Sequence, residues 1–319
     1  MKKCIALFFL ALPSWAQIHF VEKPAEDKVE VYVGDQLFTA LLFDSDTTIK
    51  KPVLYPILSP GNHFITRGWP KDPRPGERTD HPHHVGMWLN MGDVNGNDFW
   101  NNSYERDHSK NRYGTIVFTG LKKKKEGKKG GELVLTADWL DHAGVKLLEE
   151  ETTYFFSASD QARIIDRTTI LKAVENVLIA DNKEGLFAIR LAKELEHPDP
   201  KMDYTPTGEY TNDLGVKGTD VWGKRSEWMR LTGNLDGEEV TVAMFDHPDN
   251  PNFPGHWHAR GYGLYAINNV GSDVFTKGAE ISDLSLPAGA KTTFRYRVII
   301  ASRHLTEDEM IELAQDFQD

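Results

Sequence analysis

The sequence predicts an all-β protein, a large antiparallel β-sandwich with long site-forming loops and a short C-terminal helix. Three observations carry this reading. Val29, Val31 and Val33 alternate with polar residues before Gly34-Asp35 turns the chain into Leu37–Phe43, a hairpin signature. Between Gly114 and Leu171, apolar runs of strand length follow one another with short polar turns between them, as in an antiparallel meander. The clear helical signal is at the C-terminus, where Thr306 and Glu309 form a capping box and Leu305 with Met310 a hydrophobic staple.

The elements follow in order. A strand over Thr115–Gly120 leads to a hairpin tip over Lys122–Gly131, whose lysines are read as a solvated tip rather than an anion patch. Leu133–Leu140, Val145–Phe156 and Ala162–Leu171 come next, separated by turns at Asp141–Gly144 and Ser157–Gln161. Leu186–Ala192, Glu239–Phe245, Gly263–Asn268 and Thr292–Ile300 are further strands. Met310, Ile311, Ala314 and Phe317 share one face of the terminal helix. No repeat and no Pro-, Gly- or Ser-rich linker divides the chain, so a single domain over 17–319 is expected.

Composition narrows the class. The 319 residues carry 37 Lys+Arg against 48 Asp+Glu, a formal charge of −11, which argues against a nucleic-acid binder. No apolar stretch reaches the ~20 residues that span a bilayer. Lys2 and Lys3, the apolar run Ile5–Pro13 and the small-x-small triplet Ser14-Trp15-Ala16 read as a secretory signal cleaved before Gln17. Cleavage would remove Cys4, the one cysteine, and leave a disulfide-free protein in the periplasm or outside the cell.

Three segments lack strand periodicity, 59–109, 194–223 and 246–262; two of them are rich in Trp, His, Asn and Asp, and they are expected to build a site. The first holds Asp80-His81-Pro82-His83-His84, then Trp88, then Gly92-Asp93-Val94-Asn95-Gly96-Asn97-Asp98-Phe99-Trp100. In extended backbone His81 and His83 point one way and His84 the other, unless Pro82 provides a turn. Imidazoles suit acid–base work near neutral pH, and a His-x-His pair suits a metal when a third ligand arrives from elsewhere. Asp93, Asn95, Asn97 and Asp98 offer oxygen ligands but lack EF-hand spacing, so a turn held by Asx hydrogen bonds is the preferred reading. Trp88 and Trp100 are either core residues or a platform for a sugar ring.

The second cluster is Asp181-Asn182-Lys183-Glu184-Gly185, leading to Arg190. Glu184 sits where loop becomes strand, and is either an acid–base carboxylate or half of a surface salt bridge. The third is Phe245-Asp246-His247-Pro248 with His256-Trp257-His258-Ala259-Arg260-Gly261-Tyr262. It repeats the His-x-His spacing, so two such pairs could converge on a four-His metal site, and Asp246-His247 offers a carboxylate–imidazole pair.

These blocks resemble the PmoA-like family, proteins labelled "methane oxygenase PmoA". The resemblance rests on Asp80–His84 through Asp98-Phe99-Trp100, on Lys183-Glu184-Gly185, on Phe245–Pro248, on Trp257-His258-x-Arg260-Gly261-Tyr262-Gly263, and on Leu286-Pro287-x-Gly289 with Tyr296-Arg297. It implies a β-sandwich similar to the galactose-mutarotase-type supersandwich. It does not carry methane oxidation to this chain, which lacks the membrane spans of the methane-oxidising subunit of that name.

The leading expectation is an enzyme acting on a carbohydrate or sugar derivative by epimerisation, elimination or hydrolysis. His83 or His84 would be general acid or base, His258 its counterpart, and Glu184 the second acid–base or orienting group. Arg190 and Arg260 would hold an oxyanion or carboxylate. Trp88, Trp100 or Trp257 would stack on the ring, with Asn95, Asp246 and His247 as further substrate contacts. A second expectation is a metal-dependent hydrolase, lyase or oxygenase, its divalent metal held by His81 or His83 with His258 and by Glu184 or Asp246. A third is a non-catalytic glycan-binding module. The expected partner in each case is a small-molecule or glycan substrate.

Overall fold

The computed structural model describes residues 17–43 and 49–318, so the expected signal segment lies outside the described residues. The strands in chain order begin with β1 (Ile18–Lys23), β2 (Lys28–Val33), β3 (Gln36–Leu42), β4 (Val53–Ile57), β5 (Met87–Met91) and β6 (Thr115–Lys125). They continue with β7 (Gly131–Leu140), β8 (Lys146–Ala158), β9 (Ala162–Ala173), β10 (Val177–Ile179), β11 (Gly185–Arg190) and β12 (Glu209–Asn212). The last are β13 (Trp228–Leu235), β14 (Glu238–Asp246), β15 (His256–Trp257), β16 (Leu264–Asn268), β17 (Leu284–Leu286) and β18 (Lys291–Ala301).

Among the described residues these form two eight-stranded antiparallel sheets and a small β10–β17 ribbon. The first sheet runs β1-β2-β3-β4-β5-β11-β16-β15, and the second β12-β13-β14-β18-β9-β8-β7-β6. The all-β sandwich with a short terminal helix is therefore the observed architecture. The meander β6 to β9 and the hairpin β2–β3 fall where periodicity places them. The lysine tip is shorter than expected. Lys122, Lys123 and Lys124 lie inside β6 and pair with Glu151, Glu132 and Glu22, so the strand continues as a charged exposed ladder.

The core fills the space between the sheets. Leu89 and Met91 of β5, Phe187 and Ile189 of β11, and Tyr265 and Ile267 of β16 meet Leu133, Tyr154, Phe156 and Tyr296 of the second sheet. Alternation puts Glu150, Thr152, Arg167 and Thr169 on this same buried side. Arg167 pairs with Glu150 at 3.1 Å and donates to the Tyr154 hydroxyl at 2.9 Å, while Trp139 Nε1 donates to Glu150 at 2.8 Å. The buried ion pair is thus surrounded by satisfied hydrogen bonds.

At the C-terminus, Thr306 and Glu309 exchange the expected capping bonds ahead of the helix Glu307–Gln318. Met310 and Ala314 are buried with Leu305 against Trp228 and Phe245. Ile311 is exposed rather than on that face, one residue around the helix from Met310.

Removing one partner of the Glu150–Arg167 pair should leave an uncompensated buried charge. Arg167→Met should lose about 3–5 kcal/mol in urea unfolding. A loss below about 1 kcal/mol would mean that Glu150 finds other solvation.

Candidate functional site

The strands that point Met87, Leu89, Phe187, Ile189, Tyr265 and Ile267 into the core must point their alternate residues to the other side. Those residues are Trp88 on β5, Ala188 and Arg190 on β11, Leu264 and Ala266 on β16, and His258 just past β15. Register sets Trp88 opposite Ala188 and Ala188 opposite Ala266. The His258 amide donates to the Ala266 carbonyl at 2.8 Å. Across four strands the row reads large, small, small, large. Trp100 bridges it, with ring centroids 5.3 Å from Trp88 and 6.5 Å from His258. Trp100 is aimed there by its neighbour. Phe99 packs into the core on Trp139, so close to Gly114 that a Cβ there would lie 2.2 Å from the ring.

The histidine cluster is gathered by a turn. His81 takes φ +47°, and the His84 amide donates to its carbonyl at 2.9 Å. The extended alternation therefore does not apply, and all three rings meet. His81 stacks on His84 at 4.9 Å and 8°, and His83 meets His84 edge-on at 4.3 Å. The stack continues outward to Tyr262 at 5.2 Å from His81, and inward to Trp88 at 5.2 Å from His84. A column Tyr262–His81–His84–Trp88 thus runs from the groove down to the sheet.

Two arginines hold this loop. Arg67 donates to Asp80 Oδ1 at 2.9 Å and to the carbonyls of Asp80, His81 and His84. Arg190 donates to the same Oδ1 at 2.8 Å, lies 3.2 Å from His84 Nδ1, and sits under the Tyr262 ring at 4.8 Å. Burial works to raise the Asp80 pKa, but the His81 contact and the Arg190 and Arg67 charges outweigh it and hold Asp80 well below the usual carboxylate range. His81 Nδ1 lies 3.2 Å from Asp80 Oδ1, an ion-pair distance off the line of a strong hydrogen bond. Nδ1 is buried while the side chain as a whole is 40 % exposed, so the ring's exposure lies on its far edge, which carries Nε2.

The other two histidines of the cluster are different. Burial, reinforced by the Lys51 charge, takes His83 down to about 2, and burial holds His84 well below its ordinary value. Both rings are neutral at physiological pH and closed to solvent, so His81, rather than His83 or His84, is the accessible imidazole. His258 is pulled to about 4 by burial against the opposing charge of Glu184, whose Oε2 lies 3.9 Å from Nδ1. That separation exceeds a hydrogen bond, so neither group is committed to the other. Glu184 Oε1 pairs with Lys183. The Tyr262 phenol lies in the fields of both Glu184 and Asp80. Polar atoms of His83, His84, His258, Trp88 and Trp100 are buried with no partner in the protein, an unused hydrogen-bonding capacity gathered in one place.

Several expected contacts lie elsewhere. Trp257 points into the inter-sheet core, its Nε1 donating to Ser226 Oγ at 2.6 Å. Asn95 forms a two-residue turn with Gly96 and accepts from the Leu178 amide at 2.8 Å, while Asp93 accepts from Gly96 N. This is the Asx-held turn. Asp246 accepts from Asn250, Gly255 and Asn269 in a buried structural knot, with burial raising it to about 6. His247 Nδ1 accepts from the Asp249 amide and its ring packs on Phe317, so Asp246-His247 is not a carboxylate–imidazole pair. His256 shares a side with His258, but its ring nitrogens are taken by Arg225 Nε at 3.0 Å and the Gly223 carbonyl at 2.9 Å. The four-His convergence therefore does not form. Among the described residues no three His, Cys, Asp or Glu side chains are grouped as a metal would need, so the residues present do not fit the divalent metal of the second expectation.

Reasoning from residue type missed Arg67, Lys51 and Tyr262. Lys51 is buried, donates to the His83 carbonyl at 2.8 Å and lies 5.2 Å from the Trp88 ring centroid. Tyr262 had a signal in Arg260-Gly261-Tyr262-Gly263, and Lys51 and Arg67 had none. Beside Tyr262 opens a groove of 660 Å³ lined by Arg78, His197, Met202, Thr219 and Arg260. A separate depression of 460 Å³ on the outer side of the second sheet is lined by paired lysines and carboxylates, with no imidazole.

The fold and site thus define an antiparallel β-sandwich with an imidazole- and indole-rich site on the outer side of one sheet. The chain belongs to DUF6807, a family of unknown function whose model matches residues 28–315. No curated protein matches it. Among solved structures it is similar to the GH36 alpha-galactosidase AgaB of Geobacillus stearothermophilus, at 8% identity and TM-score 0.45 over 89% of this chain and 41% of that one. The chain therefore spans about two-fifths of that enzyme's length. It is also similar to galactose 1-epimerase from Lactobacillus acidophilus NCFM (9% identity, TM-score 0.39, 91% and 100% covered). A galactose mutarotase-like protein of Clostridium acetobutylicum is similar at 10% identity and TM-score 0.36, with 90% and 99% covered. These TM-scores are all below 0.5, and the chemistry of the site rests on its own residues.

Burial pulls the Lys51 ammonium down to about 7, with Asp98 opposing, from 10.5 in an unfolded chain. Between those values the unfolded state binds the extra proton, so the folded state gains stability as pH rises through the interval. Lys51→Met lacks this dependence. The gap in urea midpoint between wild type and Lys51→Met should therefore move in the wild type's favour from about pH 7 to about pH 9.5. A pH-independent gap would contradict a desolvated lysine.

Proposed function

We propose that this chain is an enzyme acting on a carbohydrate or sugar derivative by acid–base chemistry, through epimerisation, elimination or hydrolysis. The observation that carries the reading is the placement of two imidazoles beside two carboxylates, His81 at 3.2 Å from Asp80 and His258 at 3.9 Å from Glu184, joined by one continuous aromatic cluster. In this reading Asp80 fixes the His81 ring so that Nε2 takes or gives the proton at the groove end. Glu184 and neutral His258 form the counterpart. Tyr262 offers a ring face to a sugar, whereas Trp88 and Trp100, expected as a platform, are buried core residues that pack beneath the histidines. His83 and His84 are buried neutral rings packed behind His81, and Arg190 is a clamp on Asp80 rather than a substrate ligand. Export through a signal over residues 1–16, a periplasmic or extracellular address and the PmoA-like resemblance belong to the same proposal.

The test is a panel of 4-nitrophenyl glycosides, free hexoses and hexuronates in D2O, followed by nitrophenolate release and by proton NMR. At least one compound should be turned over or exchange a carbon-bound proton. His81→Ala and Glu184→Gln should each lower that rate by about 10²–10⁴-fold. Wild-type rates in both variants, or no reaction across the panel, would overturn the proposal.

A further inference from the structure

The groove beside Tyr262 has a charge the proposed chemistry leaves unused. Among the described residues the Arg260 guanidinium has no ion-pair or hydrogen-bond partner, although the chain is acidic overall. It lies over the Trp222 ring at 4.7 Å, which holds the planar group by its face and leaves its N–H edges free. The neighbouring charges are committed. Arg78 pairs with Glu196 at 2.9 Å, Glu196 also accepts from Tyr204, and His197 Nδ1 lies 3.0 Å from the Pro198 carbonyl. Asp199, which also lines the groove, accepts from the Lys201 amide. Pro198, Pro200 and Met202, on either side of Asp199 in the chain, give the groove an apolar wall. At 660 Å³ the space is within the range of small-ligand sites. It is continuous with the site through Tyr262, which lines the groove and stacks on His81.

We infer that this groove is a subsite for an acidic sugar unit, its carboxylate taken by the edge of Arg260 and its ring lying against Tyr262 and the apolar wall. The inference rests on the proposed action on carbohydrate and names the class of sugar. A planar carboxylate matches a guanidinium fork with two parallel hydrogen bonds, which a neutral hydroxymethyl group cannot do.

The test uses matched probes, the methyl glycosides of glucose, galactose and mannose and those of the corresponding uronates, titrated into the full chain by calorimetry. At least one uronide should bind about 10- to 100-fold more tightly than its neutral partner, a preference that narrows as salt is raised. Arg260→Gln should bring the paired affinities to within a few-fold of each other. If Arg260→Gln proves unstable by thermal melting, the wild-type preference and its salt dependence still decide the matter. Neutral glycosides binding as tightly as uronides would overturn the inference and leave the acid–base reading standing. Binding by neither class would overturn both.

Discussion

Asp80 Oδ1 accepts from Arg67 at 2.9 Å and from Arg190 at 2.8 Å, and both guanidiniums are buried. Two cations withdrawn from water beside one partly exposed carboxylate would be costly alone. The loop offsets this by turning the carbonyls of Arg78, Asp80, His81 and His84 onto Arg67. Arg67 follows β4 and Arg190 ends β11, so the grip ties the histidine loop to the first sheet. Within the loop, the His84 N–H bond to the His81 carbonyl closes the turn that sets His81 at positive φ.

The same grip sets the electrostatics. Asp80 stays ionised beside His81, while His83, His84 and His258 are buried deeply enough to remain neutral. One cluster therefore contains a partly exposed imidazole, His81, and three buried neutral ones. Lys51, beneath His83 and against Trp88, adds a positive field that reinforces this division. Small residues make room for it: Ala188 and Ala266 lie between Trp88 and His258, and Trp100 lies across them.

Much of the fold is legible where one side of a strand is wet, because alternation is then written in residue type. The meander β6 to β9 and the hairpin β2–β3 are of that kind. β5 is not, since Met87-Trp88-Leu89-Asn90-Met91 is buried on both sides and shows no alternation. The site is half legible. Asp80–His84, Glu184, Trp88, Trp100 and His258 do converge, and their residue types point to acid–base chemistry. Their roles depend on the turn at His81 and on burial, neither of which residue type encodes. Asp246, His247, Asn95 and Trp257 look equally functional as residues, yet their polar groups are spent on backbone and core partners. Arg67 and Lys51 matter through contacts distant in sequence, which no local pattern announces.

The central claim is that Asp80, 3.2 Å from Nδ1, sets the tautomer of His81 and leaves Nε2 bare. Long-range proton–nitrogen NMR of histidine-labelled protein reports this directly. In the wild type at a pH where the ring is neutral, His81 should be protonated at Nδ1, and Asp80→Asn should shift it toward the Nε2–H form. A wild-type His81 protonated at Nε2, or a spectrum indifferent to Asp80→Asn, would contradict the account.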